Sequence, residues 1–147
     1  MTKAADILSI HQLCAAYSEA ASRLDPDAAA AVFAEDGILS GFAAMVGKEG
    51  DTVGRSSIAS LFREVFGTIE FIHQLTQPAL TELNGDRATG RTLIHENMRF
   101  AGAPRLIVFL GHSDEEFVRT AEGWRISHRR LVPKAIIQSS AELTRFG

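Results

Sequence analysis

The stretch IEFIHQLTQPALTELNGDRATGRTLIHENMRF, residues 69–100, decides the fold. Its centre, Asn84-Gly85-Asp86, is a turn of the kind that joins two antiparallel strands. Before it, Ile69 to Leu83 predicts one long strand with a break near Pro78. After it, Ala88 to Phe100 predicts the partner strand. Working outward, Gly102-Ala103-Pro104 turns the chain into a third strand, Arg105 to Thr120. Glu122-Gly123 turns it into a fourth, Trp124 to Ile137. A meander of four long antiparallel strands fills the second half of the chain.

The first half has a different period. Ile7, Ile10, Leu13, Cys14 and Tyr17 recur at spacings of three and four, which makes a helix stripe. Thr2 or Asp6 suits its start. Asp25-Pro26-Asp27 then reads as the start of a second helix. Asp25 accepts from amides one turn on, Pro26 fits the first helical position, and Asp27 favours the positive helix end. That helix is expected to bury Val32 and Phe33 and to stop near Asp36-Gly37. Ile38 to Val46 is a candidate strand, and Gly47 to Gly54 a charged loop without a phosphate-binding ending. A third helix carries Ile58, Leu61, Phe62, Val65 and Phe66, capped by Ser56 or Ser57 and ended by Gly67. Helices first and strands after predict an α+β class, with the helices gathered on one face of a curved, mostly antiparallel sheet.

The 147 residues amount to one domain, 1–147, with 1–5 and 139–147 as loose tails. A chain of this size buries about two thirds of its surface. Hydrophobic residues make up 46% and charged residues 22%, which excludes a disordered chain. The net charge of −3 argues against nucleic acid and anionic membranes as partners. The single cysteine, Cys14, excludes an internal disulfide and a cysteine-rich zinc site. No apolar run approaches the ~20 residues of a membrane span, and no signal peptide is visible. A cytoplasmic protein is expected, with neither metal nor cofactor.

Several phrases, in their order, carry a resemblance. They are Phe33-Ala34-Glu35-Asp36-Gly37, Gly54-Arg55, His73 followed by Gln77-Pro78, Gly85-Asp86-Arg87-Ala88-Thr89-Gly90, and Gly123-Trp124-Arg125-Ile126 with Arg129 after it. Over nearly the whole chain they resemble the SnoaL-like branch of the nuclear-transport-factor-2-like superfamily. The resemblance implies a cone, a bent sheet wrapped round three helices, with an apolar pocket at its open end. Scytalone dehydratase, a dehydrochlorinase, ketosteroid isomerase and polyketide cyclases are relatives, as are non-catalytic subunits of dioxygenases.

In the dehydratase and dehydrochlorinase relatives a histidine base is oriented by an aspartate. The resemblance puts His73 in the histidine's place. An imidazole titrates near neutrality, so it can take a proton and return it. Unbroken alternation sets His73 on one face with Ile69, Phe71 and Leu75. Two alignments are open for its partner. An ungapped one, counted from Tyr17, puts Ser22 in the orienting position and leaves Asp25 as the helix cap. One with a shorter turn makes Asp25 the orienter. Serine brings no charge to stabilise an imidazolium.

Arg129 matches the arginine that closes the pocket in dehydrochlorinase relatives, where it would hold a leaving anion or a substrate oxygen. Tyr17 would donate to a ligand oxygen. Alternation puts Trp124, Ile126, His128 and Arg130 on one face and Arg125, Ser127, Arg129 and Leu131 on the other, neither purely apolar. His95 and Glu96 invite a second-base reading, but alternation groups His95 with Arg87, Thr89, Arg91 and Arg99, away from a pocket. The resemblance therefore implies a lyase or isomerase, dehydratase first, acting on a small apolar cyclic or polyketide-like molecule. The alternative is a non-catalytic binding or assembly module in which Ser22 replaces the aspartate. Both imply a homodimer or homotrimer.

Overall fold

The structure, a computed structural model, describes residues 2–146. Helix α1 runs Lys3–Ser22, capped by the Thr2 hydroxyl, which accepts from the Ala5 amide at 3.2 Å. It buries Ile10, Cys14, Tyr17 and Ala21, one face at helical spacing. The helix begins inside the stretch expected to be a loose tail. It ends where Leu24 takes a left-handed φ of 57° and the Asp25 amide donates back to the Ala20 carbonyl at 2.9 Å. Asp25 then caps α2, Pro26–Ala31, by accepting from the Ala28 amide at 3.0 Å.

Helix α2 stops earlier than expected. Phe33–Ser40 is a strand, β1, parallel to the last strand of the chain. Phe33 is fully buried beside Ile126, and a Cβ at Gly37 would stand 3.0 Å from the Ile126 carbonyl oxygen. Burying Phe33 against the sheet outweighs the helix-forming alanines before it. The strand expected over 38–46 ends at Ser40. Gly41, at φ 83°, turns the chain into a short 3₁₀ turn, Ala43–Val46. A two-residue strand, β2 (Thr52–Val53), follows, and then α3, Arg55–Phe66, whose N-cap is Gly54 and not a serine.

The four long strands are β3 (Ile69–Asn84), β4 (Arg87–Phe100), β5 (Leu106–Thr120) and β6 (Gly123–Ser139). The sheet order is β2-β1-β6-β5-β4-β3, antiparallel except for β1 beside β6. Two bulges decide which side chains face inward. One falls between Ile69 and Phe71 on β3, the other opposite Glu116/Phe117, at Ser127 on β6. Each adds one unpaired residue and reverses the alternation beyond it.

The core gathers on Phe62, whose ring stacks on Phe66 at 5.2 Å and meets Phe42, Tyr17 and Phe33 at 5.2–6.4 Å. The start of α1 is tied to the β5–β6 hairpin by charge. Arg119 grips Asp6 with two hydrogen bonds of 2.8 and 2.9 Å, and the Trp124 indole donates to the same carboxylate at 3.0 Å. These contacts hold Asp6 down at a pKa of about 2.

Candidate active site

Between α1, α3 and the inner face of the sheet lies a narrow apolar cavity of about 40 Å³. Phe42, Val65, Ile72, Ile94, Met98 and Phe109 supply much of its wall. Four polar side chains interrupt that wall: Tyr17, Gln74, Glu96 and Arg129.

Gln74 is presented by the β3 edge. An edge strand leaves every second N–H and C=O unpaired, and α1 supplies partners for those of Gln74. The Ser22 hydroxyl accepts from the Gln74 amide at 2.9 Å, and the Ser18 hydroxyl donates to its carbonyl at 3.0 Å. The fixed main chain aims the side chain inward. Its Nε2 donates to Glu96 Oε2 at 2.7 Å, while its own Oε1 is buried without a partner.

Glu96 is 8% exposed. Burial pushes its carboxyl above the usual carboxylate range, opposed by the Gln74 hydrogen bond and the charge of Arg129. Arg129 is 4% exposed, with its guanidinium 4.1 Å from the centroid of the Tyr17 ring. Among the described residues it forms no ion pair. A buried cation with open N–H groups can receive a ligand oxygen. Burial also pushes the Tyr17 hydroxyl up, so it is a donor in neutral form.

His73 is not in this cavity. The bulge after Ile69 turns Ile72 and Gln74 inward and His73 outward, where it is exposed beside Leu143 and Arg145. The expected grouping with Ile69 fails because the strand does not alternate without a break. Among the described residues His73 makes no hydrogen bond or ion pair with Ser22 or Asp25. Asp25 caps α2 and pairs with Arg23, and Ser22 is engaged with the Gln74 main chain. Asp25 is the helix cap, as the ungapped alignment had it, and Arg129 and Tyr17, which only the resemblance assigned to the pocket, lie on the cavity wall. The β6 bulge is what turns Arg129 and Leu131 to the same side as Trp124 and Ile126. His95 is exposed on the outer face, as its alternation implies.

Two wall residues were not singled out for the cavity: Gln74 and Glu96. Glu96 was legible, since the alternation that puts His95 outside puts Glu96 inside with Ile94 and Met98. Gln74 was not, because its side depends on the bulge.

A second buried carboxylate lies beside the cavity. Glu115, 3% exposed, accepts from the Thr92 hydroxyl at 2.5 Å and the Ser113 hydroxyl at 3.0 Å. Cys14 approaches its other oxygen at 4.0 Å, and burial with that neighbouring charge pushes the thiol up to about 12. Such a thiol is unreactive.

Residues 2–130 match the family model described as a SnoaL-like domain. An uncharacterized protein of Mycobacterium tuberculosis is 30% identical over 125 residues, 84% of this chain and 82% of that protein. A hexachlorocyclohexane dehydrochlorinase superposes with a TM-score of 0.85 at 12% identity, covering 99% of this chain and 97% of that one. A ketosteroid isomerase-like protein from Erwinia carotovora atroseptica superposes at 0.74 with 19% identity, covering 88% and 97%. At such identities the solved structures establish a common fold.

Proposed function

The chain belongs to the SnoaL-like domain family, with its nuclear-transport-factor-2-like cone, and we propose that it is a cofactor-independent lyase or isomerase whose base is Glu96 and not a histidine. The observation that supports this most is the meeting of Glu96 and Arg129 on the wall of one apolar cavity. A base and a cation together in a dry site suit proton removal from carbon beside a carbonyl.

Glu96 takes the proton, and the bond's electron pair moves onto the carbonyl oxygen. Arg129 and the Tyr17 hydroxyl stabilise the oxyanion as it develops. Return of the proton to another carbon gives isomerisation, and loss of a neighbouring hydroxyl or halide gives elimination. Gln74 fixes one carboxylate oxygen of Glu96 and leaves the other for the substrate. Burial raises the proton affinity of Glu96, which makes it a stronger base at neutral pH. The substrate class is a small cyclic or polyketide-like carbonyl compound.

Gln74 itself favours a second reading. It can neither take nor give a proton, yet it holds a central inward position beside Glu96. A binding module would show that feature. Incubation of the protein in D2O with a panel of cyclic enones and hydroxy-ketones separates the two. Catalysed deuterium entry beside the carbonyl, followed by NMR, supports the enzyme. Retention of an enone in native mass spectrometry with no exchange supports the binding module.

A further inference from the structure

Glu115 and Arg129 face each other across β5 and β6 in direct register, both buried. Side chains opposed in this way stand about 4.5–5.5 Å apart at Cβ, and an arginine and a glutamate so placed ordinarily close into a bidentate pair. Here they do not. The guanidinium lies over Tyr17, at the cavity wall, and the carboxylate is turned to Thr92 and Ser113. Two hydroxyls aimed at one carboxylate oxygen hold it in place.

We propose that Glu115 is a positioning residue for Arg129, kept by Thr92 and Ser113 as a counter-charge that never captures the guanidinium. This inference rests on the cavity as the ligand site. A buried arginine with no negative charge near it is costly. One locked in a bidentate pair has two of its five N–H donors engaged and its charge neutralised at contact. Glu115 adds a fixed charge to that of Glu96, the two hydroxyls prevent the pairing, and the N–H groups of Arg129 remain open to an oxygen that gains negative charge.

The probe is 4-nitrophenol, a small aromatic ring with one ionisable hydroxyl, whose ionisation is read by absorbance while bound. Glu115→Gln removes the counter-charge and leaves the site more positive, so it binds the phenolate more tightly, by about tenfold. Thr92→Val keeps the side-chain shape and removes the shorter hydrogen bond. Glu115 then closes on Arg129, and phenolate binding weakens by about tenfold, while nitrobenzene binds as before. Opposite shifts from the two variants support the inference. Equal affinities in all three proteins, or a loss in both variants, overturn it. If the wild type holds neither nitrophenol nor nitrobenzene, the cavity reading fails. The inference is then decided by a crystal structure of Thr92→Val. A guanidinium joined to Glu115 supports it, and one still over Tyr17 overturns it.

Discussion

Gln74 Nε2 donates to Glu96 Oε2 at 2.7 Å inside an apolar cavity, so this carboxylate on the wall has one oxygen fixed and one open. That hydrogen bond holds the Glu96 pKa below the level burial alone would set. In Gln74→Leu the restraint is lost and the pKa rises further. Activity that needs ionised Glu96 then begins at higher pH. The check is the acid limb of the pH profile of kcat/KM, and an unmoved limb would separate Gln74 from the base.

Arg129 acts in the account on the developing oxyanion. Arg129→Met is expected to lower kcat and kcat/KM together by about 10²–10³. It also removes a positive charge that holds the Glu96 carboxyl down, so the acid limb moves to higher pH. A rise in KM with kcat intact would mean that Arg129 binds ground state and transition state equally and does not act on the oxyanion.

Asp6 gives a prediction about stability. Its pKa is lowered from 3.8 to about 2 by Arg119 and Trp124. A depressed carboxylate stabilises the fold fully above its unfolded pKa, and that contribution fades as pH falls through the folded one. Asp6→Asn should therefore melt below the wild type at pH 6. The gap should shrink as pH drops from 3.8 to about 2. Thermal melts across that window test it, and a constant gap would contradict the ion-pair account.

Phe62 is fully buried and touches four aromatic rings. Phe62→Ala opens a hole among those rings and should cost about 3–5 kcal/mol. Urea unfolding measures this directly. A cost under about 1 kcal/mol would mean the neighbouring rings collapse into the space.

The four long strands were legible because Asn84-Gly85, Gly102 and Gly123 mark their turns and apolar residues fill them. The Asp25 cap was legible from one carboxylate followed by proline. What the residues did not reveal is where alternation breaks. A bulge needs no special residue type: Glu70 on β3 and Ser127 on β6 look like any strand positions, yet each reverses the faces beyond it. That single feature moved His73 out of the cavity and put Gln74 in. The helix expected to run to Gly37 failed for another reason. Local alanine propensity favoured it, and the burial of Phe33 against β6 was a contact too distant in sequence to see.

The central claim is that the base is Glu96 and not His73. The most direct measurement compares Glu96→Gln with His73→Ala in deuterium exchange beside the carbonyl of one turned-over cyclic enone. The account predicts a fall of about 10²–10⁴ for Glu96→Gln and no change for His73→Ala. Full exchange by Glu96→Gln, with loss in His73→Ala, would contradict it.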